Sequence, residues 1–352
     1  MKYKSIFYFT NHQIKILVLT LSIFTVNDVI YGQTQCIPLL IETITFKGKN
    51  NKEILIGEIT AININSKGMI ALADSKTKKV FLLNKNGELI NEISDQEIDA
   101  IDPGRGKLFA PERIIINKDD DIYVQSPINH LGYLYRFNSN LKFIEKYEYS
   151  NINNGHSFIF NQKGDLFSYI ISDSEKPLLL IQGKQIVEKK IALDDEFKNI
   201  SRRRPIQNAH ALEENGNIIV GFSGSHKIHV YDKNGTKLYI VDNKPKEFIE
   251  PVKDYPDKIT THKDFQEIAR NQSSWMMGIY LIDKNALLRH FVNKEGEYYD
   301  VIDLKGKTIC ETKILTERFL FAKNGYVYSE FRQTNGNREV NPQINMYKVK
   351  RK

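Results

Sequence analysis

Cysteine, tryptophan and proline are scarce in this 352-residue chain, at two, one and ten residues. Two cysteines, Cys36 and Cys310, far apart in sequence, do not make a disulfide framework. One bridge between them and two free thiols are both left open. A charge of one sign is nearly absent too. Lys and Arg exceed Asp and Glu by +7. Lys2, Lys4 and Lys15 against Asp28 account for +2 of this within the first 32 residues, which leaves +5 for the rest. A nucleic-acid binder needs a concentrated basic stripe, so this balance describes a mildly basic, solvated surface and excludes that class. Catalytic motifs are missing as well. There is no phosphate loop, no dinucleotide fingerprint and no His-Glu-x-x-His. Gly221-Phe222-Ser223-Gly224 breaks the spacing of a nucleophile elbow, and no helix is expected after it. No catalytic residue, no resident metal and no cofactor are therefore expected. Helical periodicity is almost absent, whereas Tyr and Phe, at 18 and 19 residues, favour strands.

The one long apolar run is Ile14 to Val26, with Lys2, Lys4 and Lys15 before or at its start. At about thirteen residues it is shorter than the roughly twenty of a membrane span and suits the core of a signal peptide. Gly32 is a small residue placed for cleavage. The expectation is a signal peptide over residues 1–32, no stable membrane span after cleavage, and a mature protein that is periplasmic or extracellular. Cys36 lacks the small and aliphatic residues that precede a lipidated cysteine, since Gln33, Thr34 and Gln35 stand there.

From residue 33 onward one pattern recurs. An apolar strand enters a polar tight turn and a second strand leaves it; a loop follows, then a third strand, another polar turn and a fourth strand. The clearest copy is Ile59–Asn65, Ser66-Lys67-Gly68, Met69–Ala73, Val80–Leu83, Asn84-Lys85-Asn86-Gly87 and Glu88–Ile93. Asn-Gly, Lys-Gly and Asp-rich tips supply the left-handed conformation such hairpins need. Marker residues Gly68, Asp120, Gly164, Gly216, Asn285 and Gly325 are spaced 52, 44, 52, 69 and 40 apart. That is too irregular for a solenoid and fits four-stranded blades with variable loops. The sixth copy, from Arg318 to Val349, lacks a fourth strand, and the orphan segment Ile37–Phe46 is placed to supply it and protect an open edge. The expected fold is all-β, a six-bladed β-propeller over residues 33–352 whose ring is closed by the N-terminal strand.

The segments NKNGELI, NKDDDIYV and EENGNIIV…HVYDKNGTKLY resemble six-bladed propellers of the NHL/TolB-like group, in particular secreted members from Bacteroidetes. The resemblance spans residues 37–349. It implies the fold and leaves the activity open, because that group includes binding modules, lactone hydrolases and lyases.

The spacing of 69 marks an insertion at about 242–277. Pro245, Pro251 and Pro256 make its first half irregular, and Thr261, Asp264, Phe265, Ile268 and Ala269 suggest a short helix in its second half. Connections between the second and third strands, and between blades, are expected to be long and to open on one face, where variable loops on a rigid scaffold make a site. His130, His156, His210, His226 and His262 all fall in or beside loops of that face, without metal-ligand spacing. Residues just before or at the start of the innermost strands ring the channel mouth: Glu58, Arg113, His156, His210, Trp275 and Arg318. Arg offers a planar fork to carboxylate or phosphate, and Trp a stacking surface. They are the candidate ligand-binding residues, for an anionic or carbohydrate ligand or for an envelope protein. The alternative is a metal-assisted lactone hydrolase or lyase at the same mouth. Arg202-Arg203-Arg204, the acidic triplet Asp119–Asp121 and the basic C-terminus are accounted for by solvated loops and turn chemistry.

Mass spectrometry of the exported protein is expected to place the mature N-terminus at Gln33; retention of residues 1–32 would overturn the signal-peptide assignment.

Overall fold

The computed structural model describes residues 37–48, 50, 52–104, 109–128, 131–149, 158–160, 166–169, 178–182, 185–189, 210–214, 216–222, 224–250, 273–314, 317–332, 334–335, 338–339 and 341–350. Apart from one short helix these are strands and turns. β1 (Ile37–Ile44) opens the chain. β2 (Ile59–Ile64), β3 (Ile70–Asp74), β4 (Lys79–Leu83) and β5 (Leu89–Ser94) form an antiparallel sheet in sequence order. The same order recurs in β6 (Arg113–Ile116), β7 (Ile122–Ile128), β8 (Leu131–Phe137) and β9 (Phe143–Tyr149). It recurs in β10 (Phe158–Phe160), β11 (Leu166–Tyr169), β12 (Leu178–Gln182) and β13 (Gln185–Lys189), and in β14 (His210–Glu214), β15 (Asn217–Gly221), β16 (Ile228–Tyr231) and β17 (Lys237–Val241). β18 (Trp275–Asp283), β19 (Ala286–Asn293), β20 (Gly296–Asp303) and β21 (Thr308–Ile314) follow. The last sheet takes β22 (Arg318–Lys323), β23 (Tyr326–Phe331), β26 (Gln343–Lys350) and, on its outside, β1. A small hairpin, β24 (Thr334–Asn335) with β25 (Arg338–Glu339), interrupts the run from β23 to β26.

First strands meet first strands. β2 lies against β6 and β22, β14 against β10 and β18, and β18 against β22. Four-stranded antiparallel sheets standing side by side on their first strands are the arrangement of a β-propeller. The core accordingly lies between sheets. Ala71, Leu82, Val124 and Tyr135 pack between the first two. Ile59, Leu72 and Phe81 pack with Ile44 and Ile344 of the last. Leu288, Tyr299 and Val301 meet Phe319 and Val327.

The hairpins share one local device. Asn65 Oδ1 accepts the N–H groups of Lys67 (3.0 Å) and Met69 (2.8 Å). Asn84, Asn117, Asn138, Asp232 and Asp303 repeat this with the second and fourth residues after them. In each case the third residue after the Asn or Asp has a positive φ. It is glycine at 68, 87, 235 and 306, but Asp120 (φ 64°) and Leu141 (φ 59°) in the other two. Asp120 departs from glycine because its carboxylate joins two sheets, accepting Ser66 N–H (2.8 Å) and Ser66 Oγ–H (2.6 Å). Lys323 Nζ makes a comparable link to Ile64 O (2.6 Å).

β1 pairs antiparallel with β26 from Ile37 opposite Lys350 to Ile44 opposite Ile344, with an irregularity between Leu40 and Glu42. A polar chain reinforces the pairing: Thr43 Oγ1 donates to Asn345 Oδ1 (2.7 Å), and Asn345 Nδ2 (2.8 Å) and Tyr347 OH (2.7 Å) donate to Glu317 Oε1. Cys310, buried on β21, is disulfide-bonded. The sequence holds one other cysteine, Cys36, which lies outside the described residues.

Two features differ from expectation. A helix, α1 (Asp95–Ile101), follows β5. Ser94 N–H donates to the Glu97 carboxylate at 2.6 Å, a Ser-x-x-Glu capping signal that was legible but outweighed by the strand pattern around it. The connections between second and third strands are not uniformly long. Asn293 pairs with Gly296 across a two-residue turn, and Ile128 pairs with Leu131. The helix expected near Thr261–Ala269 falls outside the described residues.

Gly87 has φ 84°, and a Cβ there would stand 2.1 Å from Thr45 O, whereas Gly216, at φ 85°, faces open space. Gly216→Ala is expected to cost about 1–2 kcal/mol from backbone strain alone. Gly87→Ala must also displace the chain just after β1, so chemical denaturation should show a clearly larger loss; equal losses would argue against this close approach.

Candidate functional site

The tight hairpins of 65–69 and 117–121 mark one end of the sheets. The starts of the first strands mark the other. Arg113, His210, Trp275 and Arg318 are the first residues of β6, β14, β18 and β22, and Glu58 immediately precedes β2. Five of the six candidate positions thus occupy equivalent places at one end of the fold. His156 lies outside the described residues, and for His210 only the backbone position is described. Of the histidines on that face, His130 and His262 are also outside the described residues.

Around Arg318 the side chains form a connected group. Arg318 Nη1 donates to Ile59 O (3.0 Å) and sits 3.4 Å from Glu330 Oε2. Glu330 is buried and also takes Arg332 Nε at 2.5 Å. Arg332 Nη2 reaches Gly57 O (3.2 Å), so two guanidiniums share one buried carboxylate and tie the last sheet to the first. Arg318 remains half exposed. Glu58 is held by its backbone: the N–H groups of Gly57 and Glu58 donate to the buried carboxylate of Asp74 at 2.7 and 3.0 Å. Its own carboxylate is exposed and accepts a 3.3 Å hydrogen bond from Ser75 Oγ.

Beside this group, the His290 ring stacks on Phe319 with centroids 4.2 Å apart, and its Nε2 lies 3.2 Å from Glu297 Oε2. Phe319 N–H donates to the same Glu297 oxygen at 2.9 Å. Burial opposes ionisation of Glu297. The hydrogen bonds from His290 and Phe319, with the field of Arg318, outweigh it and hold the carboxyl below its ordinary value. Arg113 is half-buried. Burial pushes its guanidinium below the ordinary value, against the fields of Glu112 and Tyr280, although an arginine keeps its proton throughout. Burial also raises the Tyr280 phenol to about 12, against the pull of Arg113. The Tyr280 ring packs on Phe319 and Phe321, with centroids at 5.2 and 5.7 Å. Trp275 is half-buried, opposite Val292 on β19.

His290, Glu297, Glu330, Arg332 and Tyr280 were not among the sequence candidates. Glu330 was out of reach by counting: from the hairpin at Lys323–Tyr326 the count leads to Arg318 opposite Phe331, and a register shift between Phe319 and Phe321 brings Glu330 there instead. The meeting of His290 with Phe319 crosses two sheets and carries no local signal. Among the described residues, no group of three or more His, Cys, Asp or Glu is placed to hold a metal ion.

No family model and no curated protein matches the chain. Solved structures do. A member of the DUF4221 family from Bacteroides vulgatus aligns over 90% of this chain and 99% of its own, at 12% identity and TM-score 0.60. A protein inferred to be exported, from Bacteroides fragilis, aligns over 88% and 95%, at 13% identity and TM-score 0.55. The PQQ-bound aldose sugar dehydrogenase of Streptomyces coelicolor aligns over 90% and 99%, at 12% identity and TM-score 0.50. Identities this low speak to the fold alone. The chain is a β-propeller protein, and the propeller fold is common to proteins with unrelated tasks.

The depressed Glu297 carboxyl stabilises the folded chain above the ordinary carboxyl pKa of about 4, and this contribution is lost as pH falls through the folded value. Glu297→Gln should therefore weaken the protein at neutral pH and flatten the acid limb of its stability profile. An unchanged acid limb in urea titrations would refute this role.

Proposed function

We propose that this chain is an exported binding module: a six-bladed β-propeller, closed by its N-terminal strand, that engages an anionic or carbohydrate ligand through the end where its first strands begin. The observation that carries the reading is the equivalent placement of Glu58, Arg113, His210, Trp275 and Arg318 at that end. Six four-stranded sheets, with β1 outermost in the last, support the blade count and the manner of closure. Arg113 and Arg318 supply planar donors for carboxylate or phosphate, and Trp275 a surface for a sugar face. His156 belongs to the same ring by sequence. An envelope protein with an acidic surface loop would satisfy the same chemistry.

Export is supported by the apolar run Ile14 to Val26 and by the disulfide at Cys310. Disulfides persist in oxidising compartments.

The test is calorimetric titration with paired neutral and uronic-acid oligosaccharides, accompanied by elemental analysis. Acidic oligosaccharides are expected to bind, with Arg113→Ala and Arg318→Ala each weakening them by about tenfold or more. Indifference to both substitutions would sink the site assignment. Stoichiometric zinc or calcium that disappears in His156→Ala or His210→Ala would favour the metal-assisted lactone hydrolase or lyase instead.

A further inference from the structure

After β17 the chain runs over residues 242–250 as a strap docked against the neighbouring sheet. The dock is built around a buried ion pair. Arg289 Nε donates to Asp300 Oδ1 at 2.8 Å, Nη2 closes the second arm on Oδ2, and both residues are almost wholly buried. Arg289 Nη1 has donor capacity left over. It uses this on two backbone carbonyls, His226 O (2.8 Å) and Asn243 O (2.7 Å), and so pins the strap and the loop before β16 to β19. Asn293 Nδ2 donates to Glu247 O (3.0 Å), and Ile249 and Ser274 exchange two hydrogen bonds, with Ile249 N–H to Ser274 Oγ at 2.9 Å and Ser274 N–H to Ile249 O at 2.8 Å. Phe248 is buried on Phe291, with centroids 5.5 Å apart.

His226 bridges the two ends of the strap. Its ring is buried against Phe248 at 5.7 Å. Nε2 lies 2.8 Å from Asp242 Oδ1 and Nδ1 lies 2.5 Å from Glu250 Oε1. A carboxylate only accepts, so both contacts are hydrogen bonds when both ring nitrogens carry protons. A neutral imidazole can serve one carboxylate and turns a lone pair toward the other. The geometry points to His226 as a proton-operated clasp: its imidazolium fastens Asp242 and Glu250 together, and loss of the proton releases one end of the strap.

The other charged groups facing the clasp do not replace it. Lys227 approaches Asp242 only to 3.8 Å and Lys244 approaches Glu250 only to 4.0 Å, both at the surface. Arg289 is committed to Asp300 and to backbone oxygens. The hydrogen bond from His226 holds the Asp242 carboxyl below its ordinary value, against burial and with help from Lys227. The Asp242 contribution is therefore present above the ordinary carboxyl pKa and lost in acid. The clasp is closed while both ring nitrogens of His226 carry protons toward the two carboxylates.

Hydrogen exchange read by mass spectrometry tests this on the whole protein. Protection of the 243–250 amides is taken relative to those of β3, which cancels the intrinsic pH dependence of exchange. Relative protection should fall about tenfold between about pH 6 and about pH 9. His226→Gln should be weakly protected at both pH values, and Asp242→Asn combined with Glu250→Gln should behave alike. His290→Gln, which alters a histidine outside the strap, should keep the wild-type response. Relative protection that does not change with pH in the wild-type chain, or a wild-type response surviving in His226→Gln, would overturn the clasp.

Discussion

The side-chain amide or carboxylate at the head of six tight hairpins, at 65, 84, 117, 138, 232 and 303, is the constraint on which the architecture rests. One oxygen accepting two backbone N–H groups, two and four residues on, fixes the turn and therefore the register of the strands on either side. Register decides which side chains face the neighbouring sheet. In β3 and β4 this gives Ala71, Leu72, Val80 and Leu82, all fully buried between sheets. A slip of one residue would turn these faces over. Hairpins that are locally decided can form early and leave only the assembly of sheets for later.

The same constraint explains why one end of the molecule is chemically quiet and the other varied. At the hairpin end nearly every polar group serves the turn itself or a link to the next sheet, as with Asp120 to Ser66 and Lys323 to Ile64. At the other end the chain passes between sheets, and the longer connections there carry α1, the 242–250 strap and the β24–β25 hairpin. Buried carboxylates at Asp74, Glu330 and Asp300 organise that end. Each satisfies several donors at once, which keeps long connections fixed without extending the apolar core.

Much of this was legible in the sequence because strands and hairpins are encoded locally. Alternating apolar residues and Asn- or Gly-bearing tips located the strands; β6 and β22 start at the expected Arg113 and Arg318, whereas β14 starts one residue after Ala209 and β18 three residues before Gly278. What escaped was decided across sheets. The stacking of His290 on Phe319 and the sharing of Glu330 by two arginines depend on which strands become neighbours, and no spacing within a strand reports that. The clasp at His226 escaped for a related reason. Its partners lie 16 and 24 residues away, beyond any helical or strand period. The helix α1 was missed although its capping pair was present, because seven residues offer too little periodicity to stand out between strands.

The pairing of β1 with β26 gives folding a direction in time. The strand that leads the described chain has no partner until the strand that ends it is available. Every other sheet can be completed from consecutive residues, so the last one alone waits for the whole length. Until then the Leu72 and Phe81 side of the first sheet has no Ile344 to pack against. That non-local final step is the slow one.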